Sequence, residues 1–293
     1  MHRWVEYRDG TGFTLHGEAH HEASCIVTEL SGWFEGSEVR VERTARLGDG
    51  EFPSPMWRKG RDFNLAVLER FETPQQVIAR AREVSGVYRS GELGSGSITA
   101  DFEGLPRLSA EQVALDARPR VTQNLDNLTI RYELPLYSPD PCLYGPALST
   151  QAFTALAGQG LVFPLFDNEA GQTTGVLEFG ELPAPPDELT NSGNATAYPR
   201  ITVTGSFPNG FTLDVVTAGR VLGVTYRQTV SPQSPVLVDF SGSVTVDGVE
   251  QSWALVRRDW GGVEPQQQMT VRLEALSAEG VGSALVELRP TYL

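Results

Sequence analysis

Six side chains near the start of the chain have the chemistry of metal ligands, since imidazole, thiolate and carboxylate groups all bind transition metals. They are His16, Glu18, His20, His21, Glu22 and Cys25. A helical zinc site needs the spacing His-Glu-x-x-His, but a glycine separates His16 from Glu18, and the preceding residues alternate as a strand does. We therefore expect a polar loop between strands here, with a metal site as the alternative.

Residues that could build a catalytic triad are sparse in this sequence. It has no Gly-x-Ser-x-Gly nucleophile elbow, and none of its 4 histidines follows His21. The 37 acidic residues offer many carboxylate pairs, but a glycosidase pair is defined by separation in space and not in sequence. We expect no catalytic, cofactor-binding or metal-binding residues, and hence no enzyme.

Aromatic residues of the second half could stack on sugar rings, as in carbohydrate-binding modules. They are Tyr198, Tyr226, Trp253 and Trp260. Trp253 falls on the apolar side of a predicted hairpin, so we expect it to pack in a core. A groove lined by exposed Trp260 and Tyr198 would instead favour glycan binding.

Composition limits the class of protein. The 293 residues suffice for two domains, and the hydrophobic share of 40% is typical of a globular chain. There is no apolar run of membrane-spanning length and no apolar signal segment, so we expect a soluble protein made in the cytoplasm. Cys25 and Cys142 are too few for a disulfide framework, and both are expected to be free thiols. A formal net charge of −14 disfavours nucleic-acid binding.

Apolar residues at spacing two predict strands in the first half of the chain, because that spacing puts them on one face. The clearest sets are Phe13 and Leu15, Val39 and Val41, and Phe63, Leu65 and Val67. The last strand of this half spans Leu128 to Leu136 and has one wholly apolar face.

One segment of the first half predicts a helix. Thr73 suits the N-cap, Pro74 the first helical position and Gln76 the third, and apolar residues follow at helical spacing. The helix should extend over about residues 73–86. Its arginines are expected to form a solvated or subunit-facing side. They are Arg80, Arg82 and Arg89.

The segment from Ser138 to Pro146 contains several prolines, which stop regular structure and favour a domain boundary. We therefore predict an N-terminal domain over 1–137, a junction over 138–146 and a C-terminal domain over 147–293. In the second domain, short alternating runs are separated by turns such as Asp247-Gly248, which suits a tight hairpin. This pattern predicts a β-sandwich.

Six short segments of the second half occur in an order that resembles the C-terminal region of siphophage distal tail proteins, the Dit family of minor tail components. The segments are Asn191 to Gly193, Pro199 to Gly205, Val236 to Asp239, Asp247-Gly248, Trp260 to Pro265 and Met269 to Leu273. The resemblance extends upstream over nearly the whole chain. It includes the predicted order of strands, one helix and more strands, followed by the junction Asp140 to Tyr144. Glu264-Pro265-Gln266 departs from the family, in which Pro-Gly is commoner.

The resemblance implies a mainly β protein with a sandwich-like, ring-forming N-terminal domain that carries one helix, and a galectin-like C-terminal sandwich. It also implies a homohexameric ring at the virion tail tip, assembled in the host cytoplasm. The tail tube protein would lie above this ring and the tail-associated hub protein below it. The net charge of −14 leads to a separate hypothesis: acidity concentrated on the lumen of the ring would let DNA pass without specific binding.

Within the N-terminal domain, the helix around Val77 to Val84 is the element that we expect near the subunit contact. A second hypothesis is a carbohydrate-binding module of the tail tip that recognises host envelope glycans, and a third is a cell-wall hydrolase. Inserted sugar-binding domains occur in some members of the family, but this chain has no room for one.

Overall fold

The computed structural model describes residues 4–10, 12–18, 24–47, 49–52, 55–87, 96–155, 160–162, 176–178 and 184–293. The chain divides into two compact units. The N-terminal unit comprises Met1–Pro146 with Tyr292–Leu293, and the C-terminal unit comprises Ala147–Thr291. Within the described ranges, no helix has both the length and the apolar character needed to cross a membrane.

The N-terminal unit is built from short strands and a helix. Its elements are β1 (Trp4–Arg8), β2 (Thr14–Glu18), β3 (Cys25–Ser31), β4 (Val39–Val41), β5 (Thr44–Ala45), β6 (Glu51–Phe52), β7 (Met56–Arg58), β8 (Arg61–Arg70), α1 (Pro74–Val84), β9 (Gly96–Asp101), β10 (Leu108–Leu115), β11 (Arg120–Asn124), β12 (Thr129–Ser138) and β13 (Leu143–Tyr144).

One strongly curved sheet forms the body of this unit, in the order β11-β12-β8-β3-β2-β1-β9-β10-β13, with the last strand of the chain beside β13. β10 also pairs with β12, so the sheet folds back on itself. A bulge between Glu111 and Val113, with Gln112 at a φ of 56°, lets β10 leave β9 and reach β12. Two layers therefore face each other across one apolar core.

Helix α1 begins and ends where local chemistry predicts. The Thr73 hydroxyl accepts a hydrogen bond from the backbone N–H of Gln76, whose side chain accepts from the backbone N–H of Thr73. Pro74 occupies the first turn, where its missing N–H costs nothing. Of the four apolar residues at helical spacing, Val77, Ala81 and Val84 are buried in the core as predicted, but Ile78 is exposed.

A buried arginine and an aspartate hold the segment that follows β12. Arg61 is 1% exposed and donates hydrogen bonds at 2.9 Å to the backbone oxygens of Pro141 and Trp33. A carboxylate oxygen of Asp140 accepts from the backbone N–H of Cys142 at 2.9 Å. Regular pairing is interrupted between Ser138 and Leu143, after which β13 pairs with β10, and the interrupted segment is anchored to β8.

The C-terminal unit consists of short strands. They are β14 (Leu148–Phe153), β15 (Gly160–Val162), β16 (Val176–Glu178), β17 (Leu189–Thr190), β18 (Arg200–Ser206), β19 (Phe211–Thr217), β20 (Arg220–Tyr226), β21 (Val236–Asp239), β22 (Ser243–Val246), β23 (Val249–Glu250), β24 (Leu255–Asp259), β25 (Gln268–Ala275) and β26 (Val281–Leu288), with a 3-10 turn at Ser252–Ala254 between β23 and β24. The last strand, β27 (Thr291–Tyr292), is the one that lies beside β13 in the sheet of the N-terminal unit.

Two antiparallel sheets of this unit enclose an apolar core, in the orders β14-β26-β18-β21-β22-β23 and β17-β25-β19-β20-β24. Inward positions alternate with outward ones, as in β19, where Phe211, Leu213 and Val215 are fully buried. Asp247 and Gly248 both have positive φ and join β22 to β23 in the predicted tight hairpin. The mainly β fold with a helix and a C-terminal sandwich is thus confirmed.

Candidate functional site

Of the six candidate metal ligands, His16, Glu18 and Cys25 lie in the part of the chain that the structure describes. His20, His21 and Glu22 lie outside the described residues. His16 is exposed on β2 and stacks on Trp4, with ring centroids 5.3 Å apart. Cys25 fills the space beside buried Gly17, on the opposite face of β2. Among the described residues, no group of three or more potential ligands could hold a metal ion.

Cys25 belongs instead to a buried polar cluster that attaches the helix to the sheet. Glu69 on β8 is 6% exposed and accepts hydrogen bonds from Arg80 on α1 at 2.9 Å to each oxygen. The Tyr132 hydroxyl on β12 donates to Glu69 Oε1 at 2.7 Å, and the Cys25 thiol lies 3.7 Å from the same oxygen. The Arg80 guanidinium also lies 4.7 Å from the centroid of the Phe13 ring.

The role expected for Arg80 was therefore wrong, although Arg82 is exposed as predicted and Arg89 lies outside the described residues. Arg80 lies about one helical turn after Val77, at the edge of the core, and its side chain forms an ion pair with buried Glu69. Burial and the adjacent Glu69 charge raise the pKa of Cys25 to about 12, so this thiol is protonated at neutral pH. Cys25 and Cys142 are both free thiols.

Raising the pH is expected to destabilise the N-terminal unit. The folded pKa of Cys25 is about 12, above the ordinary 9.0, and burial also raises the pKa of Tyr132. Between those values the unfolded state binds fewer protons, so the free energy of unfolding falls as pH rises above 9.0. Urea unfolding at about pH 8 and about pH 10.5 measures this fall, and Cys25→Ala should reduce it. If the free energy of unfolding fell equally in Cys25→Ala, the fall would not come from titration of the Cys25 thiol.

A hairpin arm, residues 38–59, extends from the sheet between β3 and β8. In it β4 pairs with β7, and β5 pairs with β6. At its base the Lys59 backbone N–H donates to the Glu38 carbonyl at 2.9 Å, and the two side chains form an ion pair at 2.5 Å. Every arm residue that the structure describes is exposed.

The arm exposes large apolar side chains that no core covers. They are Val39, Val41, Leu47, Phe52, Met56 and Trp57. Met56 is 71% exposed and Phe52 is 54% exposed. An isolated two-stranded hairpin is marginally stable in water, and a large exposed apolar patch marks an interaction surface. The arm therefore has the properties of a segment that is stabilised by contact with another chain.

Sequence reasoning missed the arm because Val39 and Val41 alternate as core-facing strand residues do. The strand exists, but both side chains are exposed, since β4 pairs only with β7 and lies on no second layer. The turn-forming residues near Gly50 between very short apolar runs were a usable signal of a projecting hairpin.

A shallow hollow of about 490 Å³ lies beside α1. It is lined by Ile78, Ala81, Arg82, Ser85, Gly86 and Gln123. Ile78 is partly exposed on α1, whereas the preceding residue, Val77, is fully buried. The helix thus offers a partly apolar surface to a neighbour.

The four aromatic residues of the C-terminal unit lie in different environments. Trp253 is 68% exposed, so its predicted core position was wrong. The reason is that β23 has only two residues, after which the chain turns at Ser252–Ala254 and crosses to the other sheet. Tyr226 is buried, and Trp260 packs edge-on against Phe240 at 6.0 Å. Tyr198 is 50% exposed.

Comparison with known proteins shows a structural likeness over the whole chain. No protein-family model matches, and no curated protein matches in sequence. The crystal structure of the SPP1 Dit protein (gp 19.1), described as a paradigm of the hub adsorption apparatus in phages infecting Gram-positive bacteria, is similar with a TM-score of 0.59 at 14% identity, covering 99% of both chains. The phage P2 baseplate in its activated conformation with Ca gives a TM-score of 0.49 at 10% identity, covering 99% of this chain and 98% of that one. The fold implied by the sequence resemblance is thus confirmed by the SPP1 structure.

Proposed function

We propose that this chain is a structural subunit of a phage tail hub, and not an enzyme. Six copies form a ring that joins the tail tube to the proteins of the tail tip. The observation that carries this proposal is the fold shared with the SPP1 Dit hub protein over 99% of both chains. The exposed arm supplies a reason for self-association that is independent of that likeness.

A ring needs heterologous contacts, in which one patch meets a different patch on the neighbouring copy. The arm is the first patch, because its apolar side chains have no core of their own. The second patch is the surface around α1, where Ile78 and the adjacent hollow can receive apolar side chains. The two patches are unlike, as a closed ring requires.

The other expected partners follow from a position at the virion tail tip, after assembly in the host cytoplasm. The tail tube protein binds one side of the ring, and the tail-associated hub protein binds the other. Because each subunit carries a formal charge of −14, the ring is strongly acidic. Like charge removes the counterion release that drives DNA binding, so DNA passes through the lumen without specific binding.

Removing the apolar character of the arm is expected to abolish the ring. The variant is Leu47→Ser, Phe52→Ser and Met56→Ser combined. Each side chain contributes about 1.5–3 kcal/mol when it becomes fully buried, so the subunit contact should weaken by at least about a hundredfold. Sedimentation velocity of the purified full chain should show a hexamer for the unchanged protein and a monomer for the variant.

The control changes Val221→Ser and Val281→Ser, two exposed apolar residues of the C-terminal unit, and should leave the hexamer intact. Circular dichroism should show that both variants remain folded, since none of these residues lies in a core. A monomeric unchanged protein that is also absent from purified tails would refute the ring. If the arm variant still formed a hexamer, the role of the arm would be refuted, but the ring itself would not.

A further inference from the structure

A groove on the C-terminal unit has features that the tail-hub role does not use. Its main hollow, of about 480 Å³, is bordered by an exposed tryptophan and by polar side chains. The lining residues are Tyr226, Gln228, Thr229, Ser231, Ser234, Val236, Val246, Gln251 and Trp253. Aromatic rings combined with amides and hydroxyls are the groups that recognise sugars, whose rings present both apolar faces and polar edges.

Trp253 is held at the groove by its neighbours in the chain. The 3-10 turn Ser252–Ala254 is anchored because Ala254 and Leu255 are buried in the core of the sandwich. The Ser252 hydroxyl accepts a hydrogen bond from the backbone N–H of Val244 at 3.2 Å. The indole remains 68% exposed on this fixed turn. It therefore presents an apolar ring face on an anchored turn, where a sugar ring can stack on it.

A buried tyrosine orients the adjacent amide. The Tyr226 hydroxyl donates to Gln251 Oε1 at 2.7 Å, which fixes the amide and leaves its NH2 group available as a donor. In the part of the chain that the structure describes, the side chains of Gln228, Ser231 and Ser234 have no hydrogen-bond partner. Ligand hydroxyl groups can satisfy all of these donors and acceptors.

A second hollow, of about 410 Å³, adjoins the first and shares Gln228 and Thr229 with it. It is also lined by Arg227, an exposed cation that forms no ion pair with any described residue. The two hollows meet at Gln228 and Thr229, so the indole and the guanidinium border adjoining surfaces, which together are called the groove. The guanidinium suits a ligand with an acidic substituent.

We propose that this groove binds an oligosaccharide. One sugar ring stacks on Trp253, its hydroxyl groups bond to Gln251 and Gln228, and a carboxylate or phosphate substituent binds Arg227. The amide and hydroxyl side chains beside the indole favour a sugar over an apolar protein segment, because sugar hydroxyl groups can pair with them. The proposal does not depend on the ring, since all of the groove residues belong to one unit of one chain.

The test is binding of the purified full chain to an array of bacterial surface oligosaccharides, both neutral ones and ones that carry carboxylate or phosphate groups. The best acidic hits are then titrated by calorimetry. Trp253→Ala should weaken binding at least tenfold, and Trp253→Phe should restore part of it. Tyr198→Ala, which removes an exposed ring outside the groove, should have no effect.

Selective loss of affinity in Trp253→Ala, with Tyr198→Ala unchanged, supports the groove as a glycan site. Absence of any array hit overturns the proposal, as does an affinity that Trp253→Ala leaves unchanged. If the unchanged chain bound no glycan and tails failed to assemble with Trp253→Ala, Trp253 would be identified as a protein contact instead. Binding of neutral glycans alone would contradict the role of Arg227.

Discussion

Arg80→Met is expected to reduce the free energy of unfolding of the N-terminal unit by about 3–5 kcal/mol. Methionine keeps much of the side-chain volume but leaves Glu69, which is 6% exposed, without its positively charged partner. The Tyr132 hydroxyl alone cannot replace two charge-assisted hydrogen bonds. Urea unfolding measures the loss. Hydrogen exchange assigns it to β8, β12 and α1.

A matched control separates this buried pair from a surface pair on the same helix. Arg80 also pairs with exposed Glu83 at 2.9 Å, and Glu83→Gln should change the free energy of unfolding by less than about 1 kcal/mol. The double variant Glu69→Gln and Arg80→Met removes both charges, so it should recover most of the lost stability. If Arg80→Met and Glu83→Gln had the same free energy of unfolding, the buried pair of Arg80 and Glu69 would not anchor the helix.

Local chemistry allowed the sequence to predict some elements with their residues. Thr73 and Gln76 cap α1 because a capping box needs only residues three apart, and Asp247-Gly248 makes its turn because both residues accept positive φ. The strand alternation at Phe63 to Val67 was equally reliable, since a continuous buried face needs no knowledge of its partner strand.

The errors concern positions that depend on distant parts of the chain. Arg80 is buried because Glu69 and Tyr132 come together in the sheet, and no spacing along the helix indicates them. Trp253 is exposed because β23 ends after two residues and the chain changes sheets. Val39 and Val41 have the alternation of a core strand but lack a second layer. Periodicity shows which residues share a face, whereas tertiary packing decides whether that face is covered.

The segment Asn191 to Gly193, which is part of the resemblance to the Dit family, has a structural explanation. Asn191 is fully buried, and its amide NH2 group donates at 2.8 Å to the backbone oxygens of Ala195 and Val263. Its side-chain oxygen accepts from the backbone N–H groups of Gly193 and Thr291. A Cβ on Gly193 would lie 1.9 Å from the Thr291 carbonyl oxygen, so only glycine fits. One amide thus joins three segments of the sandwich.

Asn191→Asp is therefore expected to destabilise the C-terminal unit by about 3 kcal/mol or more. The isosteric change leaves the carbonyls of Ala195 and Val263 without donors and directs a carboxylate at them. Because burial without a cation raises the pKa of the introduced carboxyl, the loss should shrink as pH falls and the group becomes a donor. Asn209→Asp, in an exposed turn, should have little effect. Urea unfolding at about pH 7 and about pH 4 tests both, and equal stability of the two variants at both pH values would show that the buried amide does not hold the sandwich together.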